Sequence, residues 1–526
     1  MIRLRQIKIL VDDYSDDILL ECCIKKLRIS KNDVISYNIY KKSIDARKKP
    51  VIYYSFIVDL KVNNENKVLS RNKDKDILYV SDDEYIYKFK PTGNSKILHR
   101  PIIVGCGPCG LICGYMLASY GYRPIIIEQG MDVDNRDKDI LDFWNNGKLN
   151  IRSNVQFGEG GAGTFSDGKL NTLVKDKNNY QRKVFDIFVE NGAPKEILYE
   201  NKPHIGTDLL KNMVKNIRNK IISMGGEVRF NTKLTDIGIS DNKINYIVVN
   251  DKEKIDCDVL VLAIGHSARD TFYMLHERNI KMENKPFAVG VRVEHSQDMI
   301  NYNQYGNKNL GSASYKLTYR AKSGRGVYSF CMCPGGYVVN ASSNNNMLCI
   351  NGMSYYKRDS GNANSAIIVT VNEDDYGNNL FDGVKFQEEL ERKAYSIGYG
   401  NIPISMYGDY KNNTISSGFG SVLPRIKGKY IFANINEIFP SYINESLKEG
   451  IDYFGTKIKG FNNDDTIIEG VESRTSSPVR IIRNDMGEAN IGGIYPAGEG
   501  CGYAGGITTS SVDGIITFEK ILSKYR

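Results

Sequence analysis

Residues 100–110 read RPIIVGCGPCG, a short apolar strand that ends in a glycine-rich loop. An apolar-periodic helix and the strand Pro124–Ile127 follow, and this order predicts a βαβ unit. In such a unit Gly105 permits the tight turn, Gly107 lets the backbone approach a pyrophosphate, and Gly110 lets the helix pack closely against the strand. The stretch therefore predicts a dinucleotide site at the start of the helix.

The second strand of this unit ends in an acidic residue. Glu128 lies about 20 residues past the loop, where a carboxylate accepts the ribose hydroxyls of the adenosine half. The helix N-terminus offers free N–H groups and a positive dipole to the phosphates. The residues that we assign to this half of the site are Gly105, Gly107, Pro108, Cys109, Gly110, Glu128 and Gln129.

Two further glycine-rich loops carry a resemblance to a known superfamily. They are GEGGAGTFSDGKL at 158–170 and IYPAGEGCGYAGG at 494–506, the second of which opens a terminal helix. Together with the strand end AIG at 263–265, they resemble the FAD-binding flavoproteins of the glutathione-reductase-like superfamily. The resemblance implies that Glu499 bonds a ribityl hydroxyl of FAD. It also implies that the terminal helix points its N-terminus at the N1/C2 edge of the flavin.

A narrower resemblance rests on residues 157–170, the segment RTSSPVR at 474–480 and the loop 495–506. Together these are similar to the bacterial FAD-dependent dehydrogenases that are mostly uncharacterised, from about residue 98 to the end. The N-terminal unit, with SIDAR at 43–47, looks like the extra domain of those proteins. The further cofactor residues that the resemblance implies are Gly158, Gly160, Gly161, Thr164, Ser166, Asp167, Gly168, Lys169, Leu170, Leu234, Ala263, Gly265, Gly498, Glu499, Gly505, Gly506 and Ile507.

The fold class that follows is α/β. We expect a Rossmann-like FAD-binding domain that is split in sequence, with an inserted β-rich α+β domain and a small N-terminal α+β domain. The expected boundaries are 1–97 for the N-terminal domain, 98–284 and 466–526 for the two parts of the FAD-binding domain, and 285–465 for the inserted domain, which would cover the flavin and shape a substrate pocket.

Three residues are candidates for catalysis. Cys331 and Cys333 are two apart, so on a regular strand they would share a face; they are either redox-active or proton-donating thiols, or packing residues. Arg474 is a candidate to hold a substrate carboxylate or the cofactor phosphates, and the alternative is an internal ion pair. His204 and His266 are weaker candidates for a general acid, since a lone histidine is more often structural.

The composition is that of a soluble globular protein. Of 526 residues 41% are hydrophobic, and 70 Lys and Arg against 62 Asp and Glu give a mild net charge of +8. No run approaches the ~18 apolar residues that a membrane span needs. Ten cysteines without a secretion signal indicate reduced thiols and a cytoplasmic location. We expect no metal, because a metal at Cys106, Cys109 and Cys113 would compete with the pyrophosphate.

The function that we expect is a FAD-dependent oxidoreductase that moves a hydride between the flavin and a small organic substrate. The sequence has no second glycine loop with a strand and helix around it, so NADH or NADPH would be a transient electron donor without its own domain. One alternative is a flavin-dependent RNA-modifying or RNA-binding protein that docks RNA on the basic run near Lys41 and Lys42, although nucleic acid is an improbable partner. Another is a flavin-binding sensor or scaffold without turnover.

Overall fold

The structure, a computed structural model, describes residues 1–81, 85–172, 174, 176 and 178–526. An N-terminal unit comes first in the chain. Its elements are β1 (Ile2–Leu10), α1 (Asp16–Leu27), β2 (Val34–Lys48), β3 (Val51–Val62), α2 (Glu65–Arg71) and β4 (Ile77–Tyr79).

The N-terminal unit is a four-stranded antiparallel sheet in the order β2-β3-β1-β4, covered by α1. Ser15 caps α1, its hydroxyl accepting the backbone N–H of Ile18 at 3.2 Å. On its inner face α1 buries Leu19, Cys23 and Leu27 in the apolar cluster of the sheet. This small core makes the unit the α+β domain that the sequence predicts.

A parallel-sheet unit follows the N-terminal unit. Its first part contains β5 (Ile102–Val104), α3 (Pro108–Ser119), β6 (Ile125–Ile127), α4 (Val133–Asn146), α5 (Tyr180–Glu190), α6 (Thr207–Ser223), β7 (Glu227–Arg229), β8 (Leu234–Ser240), β9 (Lys243–Val249), β10 (Glu253–Asp256), β11 (Leu260–Leu262), α7 (Arg269–Glu277) and β12 (Met282–Asn284).

The middle unit is rich in strands. It contains β13 (Phe287–Ser296), α8 (Gln297–Tyr305), β14 (Thr318–Arg320), β15 (Gly326–Cys333), β16 (Tyr337–Asn340), β17 (Ile350–Met353), β18 (Asn362–Val371), α9 (Glu373–Tyr376), α10 (Asp382–Ile397), β19 (Ile402–Met406), α11 (Tyr407–Asn412), β20 (Ile426–Lys427), β21 (Tyr430–Phe432), α12 (Ser441–Gly455) and β22 (Ile467–Glu472). The chain then returns to the parallel-sheet unit with β23 (Val479–Ile481), β24 (Ile494–Pro496) and α13 (Ile507–Lys524).

The parallel-sheet unit is built on five strands in the order β24-β11-β5-β6-β7, and every pairing is parallel. The four strands other than β7 are buried and are therefore continuously apolar, as in IIV at 102–104 and III at 125–127. Val104 lies in register with Ile127 and with Leu262, which in turn pairs with Pro496. The loops that follow these strands consequently leave the sheet at one edge.

The middle unit forms a mainly antiparallel sheet of seven strands in the order β14-β15-β18-β13-β22-β19-β21, with a smaller sheet β17-β16-β20 beside it. The strand β22 pairs with both β13 and β19. The middle sheet therefore continues past residue 465, where the sequence placed the boundary, because the buried strand β22 completes it. The α/β class, with a split parallel-sheet domain, an inserted β-rich unit and an N-terminal α+β unit, is confirmed.

The N-terminal unit docks on the parallel-sheet unit through backbone hydrogen bonds. The N–H of Lys42 in β2 donates to the carbonyl of Tyr199 at 2.8 Å, and the N–H of Asn201 donates to the carbonyl of Lys42 at 2.8 Å. The Nζ of Lys42 lies 3.2 Å from Oε1 of Glu200. Part of the basic run considered above for RNA is thus engaged within the protein.

The helices and the cysteines bear on a membrane span and on disulfide bonds. Among the residues that the structure describes, none of the helices combines the length and apolar character that a bilayer crossing requires. All ten cysteines lie in the described ranges, and none forms a disulfide.

Candidate functional site

A cavity of about 540 Å³ lies where the loops of the parallel sheet meet the middle unit. Its volume is within the usual range for a small-molecule or cofactor site. All three glycine-rich loops contribute to its wall. The predicted residues that line it are Gly105, Gly107, Pro108, Cys109, Glu128, Gln129, Gly161, Ser166, Asp167, Gly168, Lys169, Leu234, Ala263, Gly265, Cys331, Cys333, Arg474, Gly498, Glu499, Gly505, Gly506 and Ile507.

Five predicted cofactor residues do not line this cavity: Gly110, Gly158, Gly160, Thr164 and Leu170. They hold the loops in shape instead. A Cβ on Gly110 would lie 2.0 Å from the carbonyl oxygen of Gly105, and one on Gly158 would lie 2.4 Å from Cδ of Arg136. At Gly110 this is the close packing of helix and strand that the sequence predicts, and Gly158 has a packing reason as well.

Three other glycines in the cavity wall are not required by close packing, because an added Cβ would not clash with the protein. Gly107 has an ordinary φ of −79°, and the nearest atom to an added Cβ would be the Cα of Gly161 at 3.8 Å. At Gly505 and Gly506 a Cβ would meet no described atom within 4 Å. The space beside these glycines belongs to the cavity. A ligand that approaches the backbone closely would explain them, so the loops fit the cofactor that the sequence predicts.

Two helices begin at the cavity wall without a side-chain cap. The N-cap residues are Gly107 for α3 and Gly506 for α13, and neither helix has a capping side chain. The first N–H groups of a helix lack intrahelical partners, and its dipole places partial positive charge there. The two N-termini therefore offer donors to negatively charged or oxygen-rich parts of a ligand.

Glu128 is buried in the cavity wall and organises the loops around it. Its Oε2 accepts the N–H of Cys106 at 2.9 Å, and its Oε1 accepts the N–H groups of Gly130 at 2.9 Å and Gly158 at 3.0 Å. A carboxylate has about four acceptor positions. Glu128 thus keeps about one position for the ribose hydroxyl that the sequence assigns to it.

His266 is a buried polar residue without a hydrogen-bond partner. It lines the cavity, its side chain is 9% exposed, and its Nδ1 lies 3.3 Å from Oε1 of Glu499. The angles there do not form a hydrogen bond, and neither ring nitrogen has a partner among the described residues. Buried polar groups are normally satisfied. A ligand in the cavity would supply what His266 lacks, which is a second indication that the wall fits a cofactor.

Arg474 does not present a free guanidinium to the cavity. Its Nε and Nη2 donate to the two oxygens of Glu391 at 2.8 and 2.9 Å, and its Nη1 donates to the hydroxyls of Ser267 and Ser343. Arg269 donates to the same carboxylate at 2.9 Å. Burial would raise the pKa of Glu391, but the two guanidinium groups outweigh it and hold the pKa well below its usual range. The candidate anion anchor is therefore an internal ion pair.

The cysteine pair departs from the regular strand that the sequence suggested. A bulge interrupts the pairing of β15 between Phe330 and Cys333. Cys331 has φ of +41° and its surface faces the cavity, whereas Cys333 is 1% exposed and its Sγ lies 3.3 Å from the carbonyl oxygen of Cys331. The two side chains do not share a face, because the bulge breaks the alternation.

Cys331 is exposed within the cavity, and the protein atoms around this space partly remove its thiol from bulk water. This burial raises the pKa of Cys331 to about 12, even though Lys169 and Arg292 oppose the shift. Burial also raises the pKa of Cys333. Both thiols are consequently protonated at neutral pH. They are able to donate a proton but are poor nucleophiles.

Sequence reasoning missed two charged partners of the glycine loops. Arg358 in the middle unit donates from Nε to Oδ1 of Asp167 at 2.9 Å. Asp513 in α13 accepts the N–H of Gly498 at 2.7 Å and is paired with Arg483. Asp167 and Arg358 are 191 positions apart and Gly498 and Asp513 are 15 apart, and no local motif marks either contact. They show that Asp167 orders the loop through Arg358.

Two further side chains, His204 and Arg480, do not line the cavity. His204 is outside the cavity wall, with its Nε2 3.1 Å from the carbonyl oxygen of Tyr356. Arg480, which flanks the same turn as Arg474, pairs with Glu283 at 3.2 Å. Within the described ranges there is no group of three or more His, Cys, Asp or Glu that is suited to hold a metal ion.

Comparisons with known proteins show what the chain is similar to. The model of the family "FAD-dependent protein, C-terminal domain-like" matches residues 286–475, and a domain of unknown function (DUF8436) matches residues 1–61. A protein of Clostridium beijerinckii, described as uncharacterized, is 49% identical over 533 residues, which cover 100% of this chain and 99% of that protein.

Similarity to solved structures is low. Glycine oxidase from Bacillus cereus is 12% identical with a TM-score of 0.35, and the match covers 80% of this chain and 94% of the oxidase. L-Proline dehydrogenase from P. horikoshii is 13% identical with a TM-score of 0.33, covering 82% and 94%. Likenesses at this level carry no inference about activity. The full-length relative does show kinship: the chain belongs to the family of the C. beijerinckii protein.

Proposed function

We propose that this protein is a cytoplasmic FAD-dependent oxidoreductase that acts on a small organic molecule. The observation that carries the proposal is the convergence of three glycine loops on one cavity. Gly107, Gly161 and Gly506 come from distant parts of the chain and line the same space. Two of them leave open room where a side chain would otherwise stand.

Each half of the cofactor has residues that suit it. The uncapped N-terminus of α3 at Gly107 would receive the pyrophosphate, and Glu128 would accept a ribose hydroxyl. Glu499 would bond the ribityl chain, and the N-terminus of α13 at Gly506 would face the pyrimidine edge of the flavin. When bound, FAD supplies hydride transfer, and the protein supplies orientation and protons.

We assign the proton-handling role to Cys331. Its side chain faces the cavity, and the raised pKa keeps its thiol protonated at neutral pH. A protonated thiol is able to donate to a substrate atom that gains electrons and to recover the proton from solvent. Cys333 points at the carbonyl oxygen of Cys331, so it supports the bulge that presents this thiol.

The proposal is tested first by the cofactor itself. Purified protein is mixed with FAD, freed of excess by gel filtration, and its visible spectrum is recorded. We expect a stoichiometric flavin spectrum. A protein that remains colourless after this treatment would refute the proposal.

The electron donor and substrate are tested next. NADH or NADPH is added anaerobically, and bleaching of the flavin shows which nicotinamide serves as the transient donor. Metabolite pools are then screened for reoxidation of the reduced flavin. A flavin that is reduced chemically but reoxidised by no metabolite and by no oxygen would favour a sensor or scaffold over an enzyme.

A further inference from the structure

A group of lysines lines the cavity on the side of the middle unit. Lys169 follows the second glycine loop, Lys202 precedes α6, and Lys316 precedes β14. Lys202 donates from Nζ to the hydroxyl of Ser314 at 3.2 Å. Lys169 lies close enough to Cys331 to oppose the rise of its pKa. These three residues, the lysine cluster, line one cavity, and Lys169 adjoins the thiol that faces it.

The lysine cluster lacks counter-charges. Within the described part of the chain, none of its three ammonium groups has a carboxylate within 4.0 Å. The two acids nearest to the cluster in sequence are already paired, Asp167 with Arg358 and Glu200 with Lys42. Positive charge on this side of the cavity is thus in excess.

The cationic groups also repel one another. Removal from bulk water lowers the pKa of Lys202, and the charges of Lys169 and Arg358 lower it further. Like charges held close together without an anion cost electrostatic free energy, and a bound anion would relieve that cost. Such an arrangement is typical of a site for a negatively charged ligand.

The lysine cluster is separate from the expected pyrophosphate position. That position is the N-terminus of α3, at Gly107. Lys202 and Lys316 come from other segments, and Lys316 belongs to the middle unit, as does Cys331. Their charge therefore comes from segments other than that helix and lies in the same cavity as the candidate proton donor.

We propose that the lysine cluster binds the anionic group, a carboxylate or a phosphate, of an organic substrate next to Cys331. The inference rests on the proposed function, since it names the substrate class of the same cavity. It goes beyond that function because it predicts the charge of the substrate and the side chains that bind the charged group.

The test uses two probes, malonate as a carboxylate and inorganic phosphate, at an ionic strength kept constant with NaCl. Each is titrated into the FAD-loaded protein while flavin absorbance and Tm are followed, and Tm is followed in the FAD-free protein as well. The variant Lys202→Gln/Lys316→Gln is compared with Lys322→Gln/Lys429→Gln. The latter removes two exposed lysines that do not line the cavity.

We expect saturable binding of at least one probe to the wild type and to the control. Binding to Lys202→Gln/Lys316→Gln is expected to be at least about tenfold weaker, since each lost ammonium removes a close attraction. The Kd for FAD should stay within about twofold. The tighter of the two probes identifies the substrate as a carboxylate or a phosphate compound.

Three results would overturn the inference. They are the absence of saturable binding beyond that of NaCl, equal binding by the lysine variant and the control, and a loss of FAD affinity without any loss of probe binding. A protein that binds no FAD refutes the proposed function alone, because the titration of the FAD-free protein still decides whether the lysine cluster binds anions.

Discussion

Gly107 offers the sharpest test of where the cofactor lies. In Gly107→Ala the new methyl group meets only the Cα of Gly161, at the ordinary contact distance of 3.8 Å, and the φ of −79° suits alanine. Alanine is poorer than glycine as an N-cap by about 1 kcal/mol. This loss of stability is offset by about 0.4–1 kcal/mol, because alanine restricts the conformations of the unfolded chain more than glycine does. The free energy of unfolding should therefore change by less than about 1 kcal/mol.

Binding of FAD responds differently to the same methyl group. The methyl occupies space in the cavity and keeps a phosphate away from the N–H groups of α3. Loss of one hydrogen bond to a charged group costs about 1.5–3 kcal/mol. At 1.4 kcal/mol per factor of ten, the Kd for FAD rises about 10- to 150-fold.

Two other glycines serve as references for Gly107→Ala. In Gly110→Ala the Cβ would lie 2.0 Å from the carbonyl oxygen of Gly105, so this variant should lose fold stability as well as FAD. Gly418 is exposed and its Cβ would meet nothing within 4 Å, so Gly418→Ala should change neither property. FAD affinity is measured by quenching of flavin fluorescence, and stability by urea unfolding without FAD. If Gly107→Ala binds FAD within threefold of the wild type, the pyrophosphate does not lie at this helix.

Three further predictions concern buried charges and the thiol. Burial and the neighbouring Glu294 raise the pKa of Glu469 well above its usual range. The native state then binds more protons than the unfolded state above about pH 4.3, and stability falls by up to about 1.4 kcal/mol per pH unit as pH rises toward the native pKa. Glu469→Gln should remove this loss, raising Tm relative to the wild type more at pH 8 than at pH 5. Glu391→Gln leaves two buried guanidinium groups without their carboxylate and should cost about 3–5 kcal/mol in urea unfolding. Cys331→Ala should keep FAD affinity within about twofold and slow substrate-dependent flavin reoxidation about 100-fold or more.

Each of these predictions has a control or an opposing result. Glu389→Gln removes an exposed partner of Lys393 and should leave the free energy of unfolding within about 0.5 kcal/mol. Equal pH profiles of Tm for Glu469→Gln and the wild type would mean that Glu469 is charged in the fold. Unchanged reoxidation by Cys331→Ala would remove its assignment as proton donor. A thiol count that falls during turnover would point to a disulfide with Cys333.

The parts of this structure that the sequence predicts well are those with local signals. The apolar runs at 102–104 and 125–127 and the loop that starts at Gly105 indicate a strand, a turn and a helix within some 30 residues of one another. The terminal loop before Ile507 resembles a known pattern closely enough to place it beside the first. As a result the fold class could be predicted, and so could the three glycine loops that contribute to the cavity wall.

The parts that the sequence did not predict depend on distant partners. Arg474 and Glu391 are 83 positions apart, so nothing near Arg474 reveals that its guanidinium is occupied. The bulge that separates Cys331 from Cys333 arises from pairing with β18 and has no local mark. Glycine alone is ambiguous, since Gly107 leaves open room while Gly110 is required by packing. Only the surrounding atoms distinguish these two roles.

The order of the parallel sheet also has a consequence for biosynthesis. The strand β24 at its edge and the helix α13 come from the end of the chain, and Gly514 of α13 packs so closely on α3 that a Cβ would lie 2.5 Å from the carbonyl oxygen of Cys109. A ribosome that has released the N-terminal and middle units has not yet made one wall of the cavity. Since domains tend to fold as they emerge, the middle unit is free to fold while the sheet around Gly105 waits for its last strand. Capture of FAD would then wait for the synthesis of β24 and α13, which follow the middle unit in the chain.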